Sequence, residues 1–136
     1  MAQFIITRDG RGVFFTLRSD KERTLVSSKC YATLDACKKG ICSMVFYAPI
    51  VPLCDVTAGE SGPNPKMELT GGGGAYSYAL KAPNGKTVVE GGPYESKKAC
   101  LRAISMLRSG VQGAPVVMHE AAQRKLLTVG KLIRDK

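Results

Sequence analysis

The fold is decided by residues 4–44, FIITRDGRGVFFTLRSDKERTLVSSKCYATLDACKKGICSM, because this stretch recurs further along the chain. Residues 67–107 align with it at a constant shift of 63 without a gap, and nine of the 41 aligned pairs are identical. The identical pairs are Thr7/Thr70, Gly10/Gly73, Leu17/Leu80, Thr24/Thr87, Val26/Val89, Tyr31/Tyr94, Ala36/Ala99, Cys37/Cys100 and Ile41/Ile104. A fixed period indicates one supersecondary unit that occurs twice and buries its apolar face against its copy.

Each copy begins with a strand pair joined by a glycine-bearing turn. The first strands span residues 4–8 and 67–70, and the turns span residues 9–12 and 71–74, which is typical of hairpins. Apolar and polar residues then alternate along the second strand, which predicts one buried and one wet face. The predicted buried side chains are Val13, Phe15 and Leu17 in the first copy and Tyr76, Tyr78 and Leu80 in the second. A third strand follows in each copy, at residues 24–27 and 87–90.

A helix follows the three strands in each copy. Thr33 and Ser96 stand at matched positions before apolar residues spaced three and four apart, which predicts N-caps. The apolar positions are Cys37, Ile41 and Met44 in one copy and Cys100, Ile104 and Leu107 in the other. Extended segments marked by proline come next, at residues 50–54 and 114–118.

The sequence therefore predicts an α+β fold of two tandem β-β-β-α repeats that form an intramolecular pseudo-dimer. Its sheet is expected to be antiparallel, with one helix per repeat. Repeat one spans residues 1–54, the linker 55–66, repeat two 67–118 and the C-terminal tail 119–136.

The composition is that of a soluble globular chain, with 136 residues, 44% hydrophobic and 23% charged. The longest apolar stretch, residues 44–53, is too short to span a bilayer, and the first ten residues do not resemble a signal peptide. We therefore expect a cytoplasmic protein that makes no use of a membrane. Five cysteines in no pairing pattern indicate reduced thiols.

The order of elements, together with several short motifs, resembles the small bacterial YegP-like domain of unknown function. The matching residues are Asp9-Gly10, Tyr31, Gly40-Ile41, Asn84-Gly85, Tyr94, Ser96-Lys97 and Ala103-Ile104. The resemblance covers residues 3–118 and implies an α+β fold found as dimers of single copies and as tandem pairs. It implies no assigned reaction and brings no catalytic residue with it.

Candidate chemical groups are few. The run of glycines at 71–74 favours a hairpin turn over a phosphate cradle, because a strand rather than a helix follows it. His119 has no partner at a metal-ligand spacing, and Cys37 and Cys42 lie on diverging helix faces. Cys30 and Cys54 lie at element ends, where we expect accessible thiols. We therefore predict no catalytic residue, no metal and no cofactor.

The formal charge of +9 leaves nucleic acid open as a partner. Phe15, Tyr76 and Tyr78 offer rings for base stacking, but the alternation places these rings on the core face, leaving Phe14 as the ring expected at the surface. The basic residues that would meet phosphates are Arg11, Arg18, Lys81 and Lys86. A cysteine-based redox or small-ligand protein is a third, weaker hypothesis.

The C-terminal tail has no counterpart in the first repeat. Its segment from Leu127 to Arg134, LTVGKLIR, resembles the cargo-loading peptide of proteins packaged in encapsulin nanocompartments, whose core is LTVGSL followed by a basic residue. The resemblance implies partner-docking roles for Leu127, Val129, Gly130, Leu132, Ile133 and Arg134. The alternative is a terminal helix that packs one apolar face on the fold. The residues of that face would be Ala122, Leu126, Val129 and Ile133.

These observations predict a non-enzymatic interaction module whose tail docks it to a partner, with an encapsulin shell as the candidate partner and the encapsulin interior as its candidate location. The alternative is a basic, nucleic-acid-associated module.

Overall fold

A computed structural model describes residues 2–19, 23–120 and 123–127, with the backbone alone for 119–120 and 123–127. It is an α+β fold with one sheet and two helices. The first half contains β1 (Gln3–Asp9), β2 (Gly12–Arg18), β3 (Thr24–Ser28), α1 (Leu34–Tyr47), β4 (Leu53–Asp55) and a short 3-10 helix (Val56–Ala58). The second half contains β5 (Lys66–Gly72), β6 (Ala75–Lys81), β7 (Thr87–Tyr94), α2 (Lys97–Gly110), β8 (Val116–Glu120) and β9 (Gln123–Leu127).

The nine strands form one sheet in the order β4-β5-β6-β7-β3-β2-β1-β8-β9. The sheet is mixed, so the prediction of an antiparallel sheet was wrong in part: β4 runs parallel to β5, and β8 runs parallel to β1. Strands joined by a tight hairpin must be antiparallel. The strands β4 and β5 are joined by a longer linker, and β1 and β8 are distant in sequence, so both pairs can be parallel.

The two parallel pairs connect the halves of the chain. The strand after α1 joins the second half, where Leu53 pairs with Met67. The strand after α2 joins the first half, where Phe4 pairs with Val116. Between them, β3 and β7 meet in the middle of the sheet. Each half therefore completes the sheet of the other.

One apolar core lies between the sheet and both helices. The predicted alternation is confirmed for five of the six side chains: Val13, Phe15, Leu17, Tyr78 and Leu80 are buried. The sixth, Tyr76, is half-buried and packs against the core. The predicted helix residues Ile41 and Ile104 are buried in the same cluster. Because these residues belong to one cluster, both helices pack on the same face of the sheet.

The two helices begin where the sequence predicts. The Thr33 and Ser96 side chains each accept a hydrogen bond from the backbone N–H three residues later, at 3.1 Å. Both residues have extended backbone, with φ near −132° and −134°. This geometry satisfies a backbone donor that the first helical turn leaves without an intrahelical partner.

Candidate functional site

The face of the sheet opposite the helices carries a groove, here called the open-face groove. It has a volume of about 760 Å³ and lies over β3, β5, β6 and β7. Its charged lining residues are Lys29, Lys81, Lys86, Glu68 and Glu90, and its Ser and Thr residues are Ser27, Ser28, Thr70, Ser77 and Thr87. The volume falls within the range of small-molecule sites, but the lining is more polar than is usual for them.

Two carboxylates face each other across the floor of the open-face groove. Ala79 of β6 pairs with Glu68 of β5 on one side and with Glu90 of β7 on the other. Adjacent strands lie about 4.8 Å apart, so the small methyl group of Ala79 leaves space between the two acidic side chains. Glu90 in turn pairs with Ser27 of β3, which extends the row across the centre of the sheet.

Cations line the neighbouring row, two residues along β6. There Lys81 pairs with Lys66 on one side and with Thr87 on the other. The Lys81 ammonium donates a hydrogen bond to Thr87 Oγ1 at 2.7 Å. The Lys66 ammonium lies 3.3 Å from the Glu68 carboxylate. A carboxylate row therefore runs beside a cation row formed by Lys66 and Lys81, of which Lys81 lines the open-face groove and Lys66 does not.

Gly91 and Gly92 line the open-face groove on β7. A Cβ atom on Gly91 would lie 2.4 Å from the Leu25 carbonyl oxygen and 2.5 Å from Cζ of Tyr78. Gly92 has a φ of 112°, a backbone conformation that favours glycine. The Tyr78 hydroxyl uses the space beside Gly91 to donate a hydrogen bond to the Leu25 carbonyl at 2.7 Å. Sequence reasoning missed this contact, which joins residues 53 positions apart.

Two of the rings considered for base stacking, Phe15 and Tyr78, lie in the core. Phe15 and Tyr78 are buried, and each stacks on a partner ring, Tyr31 and Tyr94 respectively, at centroid distances of 6.5 and 6.2 Å. Burial raises the pKa of Tyr31 and of Tyr94 above the ordinary value. Phe14, the ring expected at the surface, is half-buried on the helix-free face.

Three of the five cysteines, Cys37, Cys54 and Cys100, are buried, Cys42 is half-buried and Cys30 is exposed. Burial raises the pKa of Cys37 to about 12, and it also raises the pKa of Cys42 and of Cys100. A raised pKa keeps a thiol protonated and lowers its reactivity. Cys30 is exposed, as expected, but Cys54 is 6% exposed, so the prediction of an accessible thiol there was wrong. The reason is that Cys54 lies in the middle of β4, which pairs with β5.

Two further features singled out in the sequence are the glycine run at 71–74 and His119. The glycine run at 71–74 forms the end of β5 and the turn into β6, so the hairpin interpretation is confirmed. The backbone of His119 pairs with Thr7 in the sheet. No group of three or more His, Cys, Asp or Glu residues suited to a metal occurs in the described part of the chain.

The C-terminal tail begins inside the sheet. Residues 123–127 form β9, which pairs antiparallel with β8 and places Leu127 opposite Val116. Leu126 therefore lies in a strand and not in the terminal helix of the alternative prediction. The other residues of that predicted helix face, Ala122, Val129 and Ile133, lie outside the described residues. The other predicted docking residues lie outside the described residues. They are Val129, Gly130, Leu132, Ile133 and Arg134.

No helix within the described ranges is long and apolar enough to cross a membrane.

Comparison with known proteins identifies uncharacterised relatives. Residues 73–117 match a family described as "Domain of unknown function (DUF1508)". No curated protein matches the chain. The match to the family covers strand β6, strand β7 and helix α2, and therefore much of the open-face groove.

Two solved structures are similar to this one. The solution NMR structure of yegP from E. coli, a protein of unknown function, has a TM-score of 0.71 at 16% identity, covering 90% of this chain and 96% of that chain. A UPF0339 protein from Shewanella oneidensis, also solved by NMR, has a TM-score of 0.70 at 15% identity, covering 86% of this chain and 90% of that chain. In fold the chain is therefore similar to the YegP-like domains of unknown function, and residues 73–117 are similar in sequence to the DUF1508 family.

Proposed function

We propose that this protein is a non-enzymatic interaction module that binds a partner molecule in the open-face groove. The observation that carries the proposal is the groove itself, about 760 Å³ in volume and lined by charged and hydroxyl side chains from four strands. Ligands usually bind in concave sites where polar groups converge to fix their orientation.

We propose further that the module is an intramolecular pseudo-dimer of two β-β-β-α repeats. Three equivalences support this. The helix caps Thr33 and Ser96 have the same geometry, and the ring pair formed by Phe15 and Tyr31 corresponds to that of Tyr78 and Tyr94. The strand after each helix also pairs in parallel with the first strand of the other half. The open-face groove lies on the second half and reaches β3 across the junction.

The proposal is tested by mapping ligand contacts on the full chain. Backbone amide NMR shifts would be recorded while single-stranded DNA, an acidic peptide, a basic peptide and small zwitterions are added in turn. We expect at least one probe to shift the groove residues, and Ala79→Trp to remove that binding by filling the space between Glu68 and Glu90.

The matched control is Ser105→Trp, which adds the same bulk at an exposed position on α2. The groove would be ruled out as the binding surface if the shifts persisted in Ala79→Trp or mapped to the helical face. It would also be ruled out if none of the probes shifted the groove residues. Binding of DNA that weakens steeply with added salt would instead support the nucleic-acid alternative, since phosphate contacts release counterions.

A second function is favoured by the sequence of the C-terminal tail. We propose that the segment from Leu127 to Arg134, LTVGKLIR, docks the protein to an encapsulin shell. The segment begins at Leu127, the last residue of β9, and β9 lies at the end of the strand order.

Transfer of the segment tests this docking role. Residues 119–136 fused to a fluorescent protein should copurify with an encapsulin shell protein when the two are coexpressed. Leu132→Asp should abolish copurification, because an unpaired carboxylate is costly in an apolar pocket, whereas Asp135→Asn should not. Failure of the unaltered fusion to copurify would contradict the docking role.

A further inference from the structure

We infer that the ligand of the open-face groove is a small zwitterion, with an ammonium group and an anionic group held apart by an extended spacer. This inference rests on the proposed binding role of the groove. It adds the chemical class of the ligand, which follows from how the charges of the groove are ordered.

The ammonium group is placed by the carboxylate row. Glu68 and Glu90 flank Ala79, whose methyl group is too small to fill the space between them. Glu68 already neutralises the Lys66 ammonium, at 3.3 Å, so Glu90 is the stronger candidate to pair with a ligand cation. Glu90 is exposed and points to the same face as Ala79, with which it is paired.

The anionic group is placed by the cation row. Lys81 is half-buried and is oriented by its 2.7 Å hydrogen bond to Thr87 Oγ1. Lys29 and Lys86 also line the groove. An ammonium that is already directed by one hydroxyl retains further N–H donors for a carboxylate or a phosphate.

The spacing of the two rows sets the length of the spacer. Ala79 and Lys81 are two residues apart on one strand, which corresponds to about 6.8 Å along the sheet. An ω-amino acid with five methylene groups between its ammonium and its carboxylate, such as ε-aminocaproate, has roughly this reach when extended. A polyanion such as nucleic acid is a poorer fit, because a backbone that lies along the groove must pass the carboxylates of Glu68 and Glu90.

The test uses ε-aminocaproate with two probes that each carry one of its charges, caproate and pentylamine. NMR titration of the full chain should give saturable shifts at the groove residues with ε-aminocaproate, and at least about tenfold weaker binding with either single-charge probe. Glu90→Gln and Lys81→Gln should each weaken ε-aminocaproate binding by about tenfold.

Matched controls lie outside the groove. Glu95→Gln and Lys98→Gln remove the same charges at exposed positions near the start of α2, and should leave binding unchanged. Melting curves of all four variants would show whether a loss of binding reflects unfolding.

Three results would overturn the inference: no saturable shift with ε-aminocaproate, equal affinity for caproate or pentylamine, or equal loss of binding in the control variants. If DNA or a peptide shifts the NMR signals of the groove residues and ε-aminocaproate does not, the inferred ligand class is wrong. The groove would then still be the binding surface. If no probe shifts these residues, the proposed function fails as well.

Discussion

Tyr78 and Gly91 pack differently from the residues at the matching positions of the first half. The matching residues of the first half are Phe15 and Ser28. Ser28 Oγ accepts a hydrogen bond from the Phe15 N–H at 3.0 Å, beside a ring that has no hydroxyl. In the second half the Tyr78 hydroxyl needs that space, because a Cβ atom on Gly91 would lie 2.5 Å from its ring. Glycine at position 91 therefore leaves room for the Tyr78 ring.

Tyr78→Phe should lower the free energy of unfolding by about 1–3 kcal/mol, because it deletes a buried hydrogen bond and leaves the Leu25 carbonyl without this donor. Urea denaturation followed by circular dichroism would measure the change. Tyr76→Phe is the matched control, at a half-buried ring on the same strand, and should be nearly neutral. Equal stability of the two variants would contradict this account of Tyr78.

Gly40→Ala should also destabilise the fold, although alanine is favoured over glycine inside a helix by about 1 kcal/mol. The added Cβ would lie 2.3 Å from the Tyr31 hydroxyl oxygen and 2.8 Å from its Cζ. Overpacking of this kind typically costs about 1–3 kcal/mol. Thermal melting should show a lower Tm, partly restored by adding Tyr31→Phe, which removes the nearest atom.

Gly62→Ala serves as the control, since a Cβ atom there meets open space. A rise in Tm for Gly40→Ala would mean that the Tyr31 ring moves aside at little cost.

The burial of a residue could be predicted where it follows from the periodic spacing of apolar residues along a strand or a helix. Leu17 and Leu80 follow the two-residue repeat of a strand, and Ile41 and Ile104 follow the spacing of a helix. The burial of Cys54 was not predictable, because it depends on the pairing of β4 with β5 rather than on its neighbours in sequence. The need for glycine at position 91 depends on Tyr78 in the same way.

At the scale of the elements, local signals located both helices. The caps Thr33 and Ser96 and the apolar spacing after them fix where α1 and α2 begin. The extended segments after the helices were predicted, but their partners were not, since nothing local in a three-residue strand such as β4 specifies its neighbour. Strand β9 was not predicted, because its sequence QRKLL does not alternate apolar and polar residues.

Ile41→Ala and Ile104→Ala should each lower the free energy of unfolding by about 2–5 kcal/mol, because both side chains are buried between helix and sheet. Denaturant titration would measure this loss. Leu101→Ala, at a position on α2 that is 37% exposed, should cost much less. If the two isoleucine variants behaved like Leu101→Ala, the packing of the helices on the sheet would be wrong.

The contact between β4 and the start of α2 should depend on pH. Asp55 forms an ion pair with Lys97 and accepts a hydrogen bond from Thr57, and these contacts, led by the one to Lys97, lower the pKa of Asp55 below the ordinary 3.8. Its contribution to stability is present above pH 3.8 and is lost as the pH falls through the lowered value. Asp55→Asn should therefore lower the Tm at neutral pH, and should reduce the further loss of Tm on acidification below pH 3.8.

Thermal melts between neutral and acid pH would check both effects. Glu95→Gln is a suitable control, at an exposed carboxyl next to the cap of α2. A Tm for Asp55→Asn that falls on acidification as steeply as that of the unaltered chain would rule out the ion pair as the cause.

At the scale of the whole molecule, the halves depend on each other for strand partners. Residues 1–60 alone would lack β8 beside β1, β7 beside β3 and β5 beside β4. A core from about 60 residues is marginal even when complete. We expect this half to be unfolded or to dimerise by pairing with itself. Circular dichroism melting together with analytical ultracentrifugation would detect either state, and a monomer that melts cooperatively would contradict the dependence.

The open-face groove could not be predicted from the sequence. Its charged residues come from β5, β6, β7 and the segment after β3, and they meet only through the registers of three strand pairs. The sequence did indicate that Lys81 and Lys86 lie at the surface, but it did not place them near Glu68 and Glu90. Cross-strand neighbours of this kind become visible only once the strand order is known.

The reciprocal pairing of β4 with β5 and of β8 with β1 has a consequence for the linker. Residues 59–64 are exposed, and the strand pairs between the halves do not depend on an unbroken backbone there. A protease that cuts between Ser61 and Gly62 would leave two fragments still joined as a heterodimer. The same two fragments, produced separately, would reassemble on mixing and could serve as a split reporter of molecular proximity. The covalent link acts mainly by raising the effective concentration of one half around the other.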